Sequence, residues 1–392
     1  MPAPQTAQPA TPPSPTPPAD PGVLPGGEPS PTPPLPTPPA DVDPLDCVFY
    51  ERPDGIWAFD LSGGQPRLVA GSHEQRNLVG QGDPWALAPD GHLLAMVRSG
   101  ADQTSVLSLV ALPGGHKSDV GPFAGWIEAL CWSHDSSRLA YVVTRRDELT
   151  GRLRAQDLRI YDAAAGRDES VYRREYEADA QDRQGLWLAD WLPGNQALYV
   201  VTYLEESSDP GTLCVLSLRS GGAPKEVSAE WLPKAGQPVS AVSSQVLLRR
   251  RPAGAGEAQG SSALHVAAVA SDGTFDAVRL LTPVEWVVGG AAWSPDGQQV
   301  VVERLEPRAH GTYAVHLWLL GADGTVVRQL TADETYREEQ PVWGPPGLEL
   351  CFGRWQAARP EPAGIWALSP GAEPRLLDAA GVRPQAAAPP YR

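Results

Sequence analysis

The sequence predicts an all-β chain, a ring of small antiparallel sheets preceded by an unstructured segment, and three observations carry this reading. A five-residue turn recurs near every 50 residues, a β-branched or apolar run follows each copy, and helical periodicity is nearly absent. The turn is clearest at Trp293-Ser294-Pro295-Asp296-Gly297, ahead of Val300-Val301-Val302. It returns as Trp132-Ser133-His134-Asp135-Ser136 before Leu139 to Val143, and as Leu87-Ala88-Pro89-Asp90-Gly91 before Leu94 to Val97. Trp191-Leu192-Pro193-Gly194-Asn195 and Trp343-Gly344-Pro345-Pro346-Gly347 are further copies, and a degraded one starts at Val242. First positions at 87, 132, 191, 242, 293 and 343 differ by 45, 59, 51, 51 and 50.

Each unit reads as four strands. The Trp ends the first, the Pro-Asp-Gly type turn reverses the chain with a residue suited to positive φ, and the apolar run is the second. Third strands are expected at Asp157 to Tyr161, Thr212 to Leu218, Leu264 to Ala270, Ala314 to Leu320 and Gly364 to Leu368. Fourth strands are expected at Val171 to Arg173, Arg279 to Leu281, Val327 to Leu330 and Arg375 to Leu377. One such sheet cannot bury both of its faces, but a ring of them can, which defines a β-propeller. Cys47 to Glu51, Ile56 to Asp60 and Arg67 to Ala70 supply three strands of a leading unit. The expectation is therefore a single β-propeller of seven four-stranded antiparallel blades, its first blade either missing its inner strand or borrowing one from the segment after Gly381. Six blades is the alternative count.

The first 45 residues differ in kind: 18 of the 43 prolines fall between Pro2 and Pro44, with no Lys or Arg there. A segment so poor in large apolar residues cannot offset the entropy of ordering its backbone, so residues 1–45 read as a disordered Pro/Thr-rich linker. Residues 46–382 are the expected propeller and 383–392 a short C-terminal tail. The linker suggests an extracytoplasmic or cell-envelope location, although the chain as given starts with no signal peptide.

The Trp-Ser-Pro-Asp-Gly turn before a Leu-Ala-Tyr-like strand resembles the WD40-like repeat of TolB-type propellers and of the propeller domains in prolyl-oligopeptidase relatives. The resemblance covers roughly residues 46 to 380. The Gly-His and Trp-Asp dipeptides of true WD40 repeats do not recur at this period. What the resemblance implies is a bacterial, monomeric, non-catalytic scaffold that engages envelope proteins through one face. The alternative is an enzyme, a lyase or hydrolase, with its site over the central channel. No Gly-x-Ser-x-Gly elbow occurs and no hydrolase segment follows the ring, so no catalytic residue is assigned.

Composition narrows the partners. A net charge of -16 argues against a general affinity for nucleic acid or anionic membrane surfaces. No apolar run approaches the roughly 20 residues of a membrane helix. Cys47, Cys131, Cys214 and Cys351 lie far apart and are expected to be unpaired, and no metal or cofactor is expected.

Connections between second and third strands, and between blades, are expected to be the long ones. Both classes emerge on one face, the natural place for recognition. Eleven residues beyond the first position of their turns stand Arg98, Arg304 and Arg354. Arg145 with Arg146, Arg249 to Arg251, and Arg52 take similar places, and Trp355 adjoins the set. This broken circle of arginines is expected to bind a protein or an anionic ligand; the bland reading is that strands leaving a sheet simply need solvated residues. His310 and His316, six residues apart, are not at a usual metal-ligand spacing, and His92 and His134 read as solvated turn residues. Glu205-Glu206 with Asp209, and Asp333-Glu334 with Glu338-Glu339, read as polar loop tips. Trp355, Trp231 or Trp286 would serve as a sugar-stacking platform if one exists.

Overall fold

A computed structural model describes residues 43–387, apart from 62–63, 72–83, 101, 114, 178, 208, 220–221, 235, 252–262, 309–311, 345–349 and 360. The linker expected over residues 1–45 therefore falls, up to 42, outside the described residues. Pro44–Asp46 form a short 3-10 turn leading into the first strand.

Seven antiparallel sheets make a seven-bladed propeller. Blade 2 holds Trp85–Leu87, Leu93–Ser99, Thr104–Ala111 and Lys117–Ala124 in chain order, with the first strand nearest the channel. Blade 3 repeats this with Trp126–Trp132, Arg138–Arg146, Leu153–Asp162 and Arg167–Glu175, and blade 4 with Gln184–Trp191, Ala197–Leu204, Thr212–Ser217 and Lys225–Ser228. Blade 6 contains Val287–Trp293, Gln299–Pro307, Tyr313–Gly321 and Val326–Gln329; blade 7 contains Tyr336–Trp343, Leu350–Gln356, Pro362–Leu368 and Arg375–Asp378.

Blade 1 joins the two ends of the ring. Cys47–Arg52, Gly55–Asp60 and Pro66–Gly71 are completed on the channel side by Val382–Ala386, which pairs antiparallel with Cys47–Arg52. The propeller thus runs past residue 382, and the start of the expected tail is its closing strand. Gln385 fastens the closure by accepting from the Leu87 amide at 2.8 Å and donating to the Trp85 carbonyl at 3.2 Å.

The core explains why second strands read as unbroken apolar runs. Among the described residues there are seven apolar clusters, each made by the facing sides of two adjacent blades. A blade is therefore covered on both faces, and alternation disappears from its middle strands: Arg138–Arg146 buries six consecutive residues.

The repeated tryptophan stitches neighbouring blades. The indole N–H of Trp132 donates to the Ala86 carbonyl (3.1 Å), that of Trp191 to Cys131 (2.9 Å), that of Trp293 to Pro238 (3.1 Å) and that of Trp343 to Ala292 (3.2 Å). Ala86, Cys131 and Ala292 lie on the preceding blade's innermost strand and Pro238 directly precedes Val239–Ser240, so a motif residue that marks the turn in sequence serves the ring as an inter-blade hydrogen bond.

Blade 5 departs from the repeat. Its inner position is split between Trp231–Pro233 and Val239–Ser240, both pairing with Gln245–Arg250, and His265–Val269 and Phe275–Leu280 follow. Between the two pieces, Gly236–Gln237 crosses to pair in parallel with Val287–Trp293 of blade 6. Val239 faces Val246 as Trp293 faces Val300, so the degraded copy starts at Val239, three residues before the Val242 read from sequence. The stitch to Pro238 confirms this register: a motif Trp elsewhere selects the carbonyl just before the equivalent position.

Second-to-third connections are shorter than expected because strands continue through them. Gln299–Pro307 meets Tyr313–Gly321 across 308–312, and Leu350–Gln356 meets Pro362–Leu368 across 357–361. Long connections remain at 72–84, 176–183 and 251–264.

Candidate functional site

The arginines expected to form a circle have different fates. Arg98 lies across its own blade, donating to Ser108 at 2.9 Å and pairing with Asp119 at 2.6 Å. Arg304 stacks between Trp286 and Trp318, 4.5 and 5.1 Å from the ring centres, and pairs with Glu306 at 3.1 Å. Arg354 is buried, 4.1 Å over the Trp366 ring and 5.0 Å over Tyr336, with Glu338 at 3.2 Å. Arg52 pairs with Asp378 and stacks on Trp57 at 4.0 Å. Arg145 is exposed, and Trp355 is half-buried opposite Arg337. These side chains do not converge on one point.

Arg249 is the exception, because it lines a cavity of about 490 Å³ between blades 4 and 5. On the blade 4 side the walls are Trp187, Leu188, Ala189 and Val201, with Pro210 at the rim; blade 5 supplies Leu232, Pro233 and Lys234. Pro210 sits in the second-to-third connection and Arg249 near the end of a second strand, so the cavity belongs to the face where recognition was expected. Trp187 is 51% exposed, with its ring 4.9 Å from that of Tyr203. Tyr203 in turn lies over Gly185, where a Cβ would overlap its ring, so that glycine is what lets the aromatic pair settle against the strand.

Lys234 was not anticipated from sequence. It is buried, and its Nζ donates to the Val288 carbonyl of blade 6 at 2.8 Å. Burial, reinforced by the charge of Arg249, pulls its ammonium down to about 8, against a smaller opposing influence from Glu303. No carboxylate lies within ion-pairing distance of either Arg249 or Lys234 among the described residues. The neighbouring acids are occupied: Asp209 pairs with Arg251, Glu230 with Arg250 at 3.1 Å, and Glu205 with Arg146 at 2.7 Å.

Two buried carboxylates flank blade 5. Asp190 accepts from the Trp191 amide at 2.8 Å and the Val239 amide at 3.0 Å, with the Cys131 thiol at 3.6 Å. Glu303 accepts from the Gly290 and Gln340 amides, both at 2.6 Å. Desolvation pushes both carboxyls above their usual range. Through backbone N–H groups Asp190 ties blade 4 to blade 5 and Glu303 ties blade 6 to blade 7.

The remaining candidates resolve as packing. His316 donates or accepts through Nδ1 with buried Glu338 at 3.1 Å, so a His–Glu–Arg row with Arg354 crosses the blade 6–blade 7 contact. His310 lies outside the described residues. His134 is not a solvated turn residue: its ring contacts the Trp191 carbonyl at 3.0 Å, another stitch between blades 3 and 4. Its neighbour His92 is exposed. Glu206 meets Arg152, Glu334 meets Arg308 and Glu339 meets Arg337. Trp286 is buried under Arg304 and Trp231 packs on His265 at 4.7 Å, which leaves Trp187 as the open aromatic surface. All four cysteines are free thiols, and no group of three His, Cys, Asp or Glu able to hold a metal occurs among the described residues. Among the described residues no helix is long and apolar enough to cross a membrane.

No protein family's sequence profile and no curated protein matches the chain. Its likeness to solved structures is in the fold. The β-propeller domain of the Trilobed protease from Pyrococcus furiosus, described as having an open velcro topology, superposes with a TM-score of 0.55 at 14% identity, over 85% of this chain and 93% of that one. The acylaminoacyl peptidase of Pyrococcus horikoshii gives 0.54 at 14% identity over 83% of this chain, which spans only 48% of the peptidase. TolB from Acinetobacter baumannii matches more loosely, at 0.41 and 13% identity over 86% and 81%. The chain is a seven-bladed β-propeller whose structural neighbours include peptidase propellers and TolB.

Proposed function

We propose that this propeller is a non-catalytic binding module that engages a protein partner through the face bearing the second-to-third and fourth-to-first connections. The observation that supports the reading most is the cavity between blades 4 and 5, where no carboxylate among the described residues forms an ion pair with Arg249 or Lys234 in an acidic protein. Two such cations set among apolar side chains suit an incoming anion, and a local positive field is compatible with an overall charge of -16. Exposed Arg145 and half-buried Trp355 belong to the outer rim of the same surface, while Arg98, Arg304 and Arg354 brace it through pairs and stacks inside their blades. The Pro/Thr-rich segment would serve as a spacer, and the cell envelope is the compartment this reading assigns. The alternative, a lyase or hydrolase, has less support: the His–acid–base row described above, His316, Glu338 and Arg354, is buried in the contact between blades 6 and 7.

Affinity capture from bacterial envelope extracts tests the proposal, using the full chain, an Arg249→Glu variant, and an Asp90→Lys variant on the opposite, turn-bearing face. A partner held by the parent and by Asp90→Lys but lost with Arg249→Glu is the expected result. Capture that depends instead on the turn-bearing face would overturn the assignment.

A further inference from the structure

We infer that the cavity between blades 4 and 5 binds the free C-terminal carboxylate of an extended peptide whose last side chain is apolar. The inference rests on the recognition face proposed above and names the chemistry of its ligand. Its argument is what the walls can and cannot satisfy. Apart from Arg249 and Lys234, every lining side chain is apolar or aromatic. The two side-chain charges among the lining residues are both positive and the rest of the side-chain lining is apolar or aromatic, so the cavity favours one anionic group attached to apolar bulk.

The two cations suit a carboxylate. Arg249 offers a planar fork for two oxygens, and Lys234 is a point charge on a stem already fixed by its bond to the Val288 carbonyl. Among the described residues only that carbonyl accepts from Lys234, so its other N–H donors are available. Leu188, Val201 and Leu232 provide the apolar floor, and Trp187 a stacking wall held by Tyr203. A cavity with a half-exposed Trp at its mouth encloses a terminal residue and lets the rest of a chain leave, whereas a small molecule is usually enclosed on most sides.

Calorimetric titration of the full chain with N-acetylated pentapeptides ending in Leu or Phe, as free acids and as amides, tests this without any substitution. The free acids should bind, and the amides about tenfold or more weakly. Arg249→Gln and Lys234→Met, each checked by circular dichroism for an unchanged fold at the titration temperature, should weaken binding of the acids and leave that of the amides unchanged. Equal binding of acid and amide, or binding of N-acetyl-leucine as tight as that of the pentapeptides, overturns the inference. So does no binding of any peptide, even if envelope capture through Arg249 persists, which would leave the recognition face standing. Peptide binding with no Arg249-dependent capture would separate the two the other way.

Discussion

The Trp293 indole N–H donates to the Pro238 carbonyl 3.1 Å away, across the contact between blades 6 and 5. Pro238 cannot donate an amide of its own, and its oxygen sits where the ring turns from one inner strand to the next. Removing only the donor should therefore be felt. Trp293→Phe keeps most of the apolar contact and leaves the Pro238 carbonyl with its second bond, from the Leu247 amide at 2.8 Å, so the cost in chemical denaturation should be that of one inter-blade hydrogen bond, about 0.5–1.5 kcal/mol. A loss below a few tenths of a kcal/mol would show that water replaces the indole.

The row formed by His316, Glu338 and Arg354 should behave as a unit. Glu338→Ala leaves a buried guanidinium without its carboxylate and is expected to destabilise by about 3–5 kcal/mol. Replacing both Glu338 and Arg354 by Leu should cost clearly less than the sum of the single changes, because neither charge is then left alone. Additive losses in a double-mutant cycle would argue that Arg354 is held by Trp366 and Tyr336 rather than by Glu338.

Lys234 links stability to alkaline pH. Its folded pKa is depressed to about 8 from an unfolded value of 10.5, so between these values the unfolded chain binds more protons. Stability therefore rises with pH across that window, by on the order of 1–3 kcal/mol, as the buried charge is lost. Buried Cys and Tyr groups whose folded pKa values are raised pull stability down over the same range, so denaturation midpoints from pH 7 to 10.5 should show the Lys234 contribution as a parent-minus-Lys234→Met difference that grows with pH. The same titration predicts that peptide affinity falls above about pH 8; identical profiles for parent and variant would remove Lys234 from both effects.

Closure of the ring through Val382–Ala386 is the last prediction. Gln385→Ala removes the bonds to Leu87 and Trp85 and should cost about 1–2 kcal/mol. Truncation after Gly381 exposes the whole edge of Cys47–Arg52 and should lower the thermal midpoint far more, with aggregation through the open strand. A truncated chain as stable as the parent would mean that blade 1 stands on three strands.

Much of this ring was legible in sequence because its signals are local. A turn needs its Pro, Asp and Gly within five residues, and a strand covered on both faces announces itself as an apolar run, so blade number and most strand positions follow from spacing. The closing strand was half legible: three head strands leave the inner place of blade 1 either empty or filled from beyond Gly381, and only the pairing of Val382–Ala386 with Cys47–Arg52 chooses. Blade 5 was misplaced by three residues where Val239 stands for the missing Trp: its pairing with Val246 is local, but the amide bond to Asp190 and the stitch from Trp293 that hold the register come from far away in the chain. The site divides the same way. Arg249 could be picked out as one arginine among several at strand exits, but Arg98 and Arg354 look identical to it in sequence. Only packing reveals that Asp119 and Glu338 neutralise those two while nothing neutralises Arg249. Lys234, one of only three lysines in an arginine-rich chain, left a compositional hint and no positional one. The sequence by itself determined the repeat and hence the ring; the tertiary structure decided where charge is left unpaired, because that depends on which blades face each other and not on any one of them.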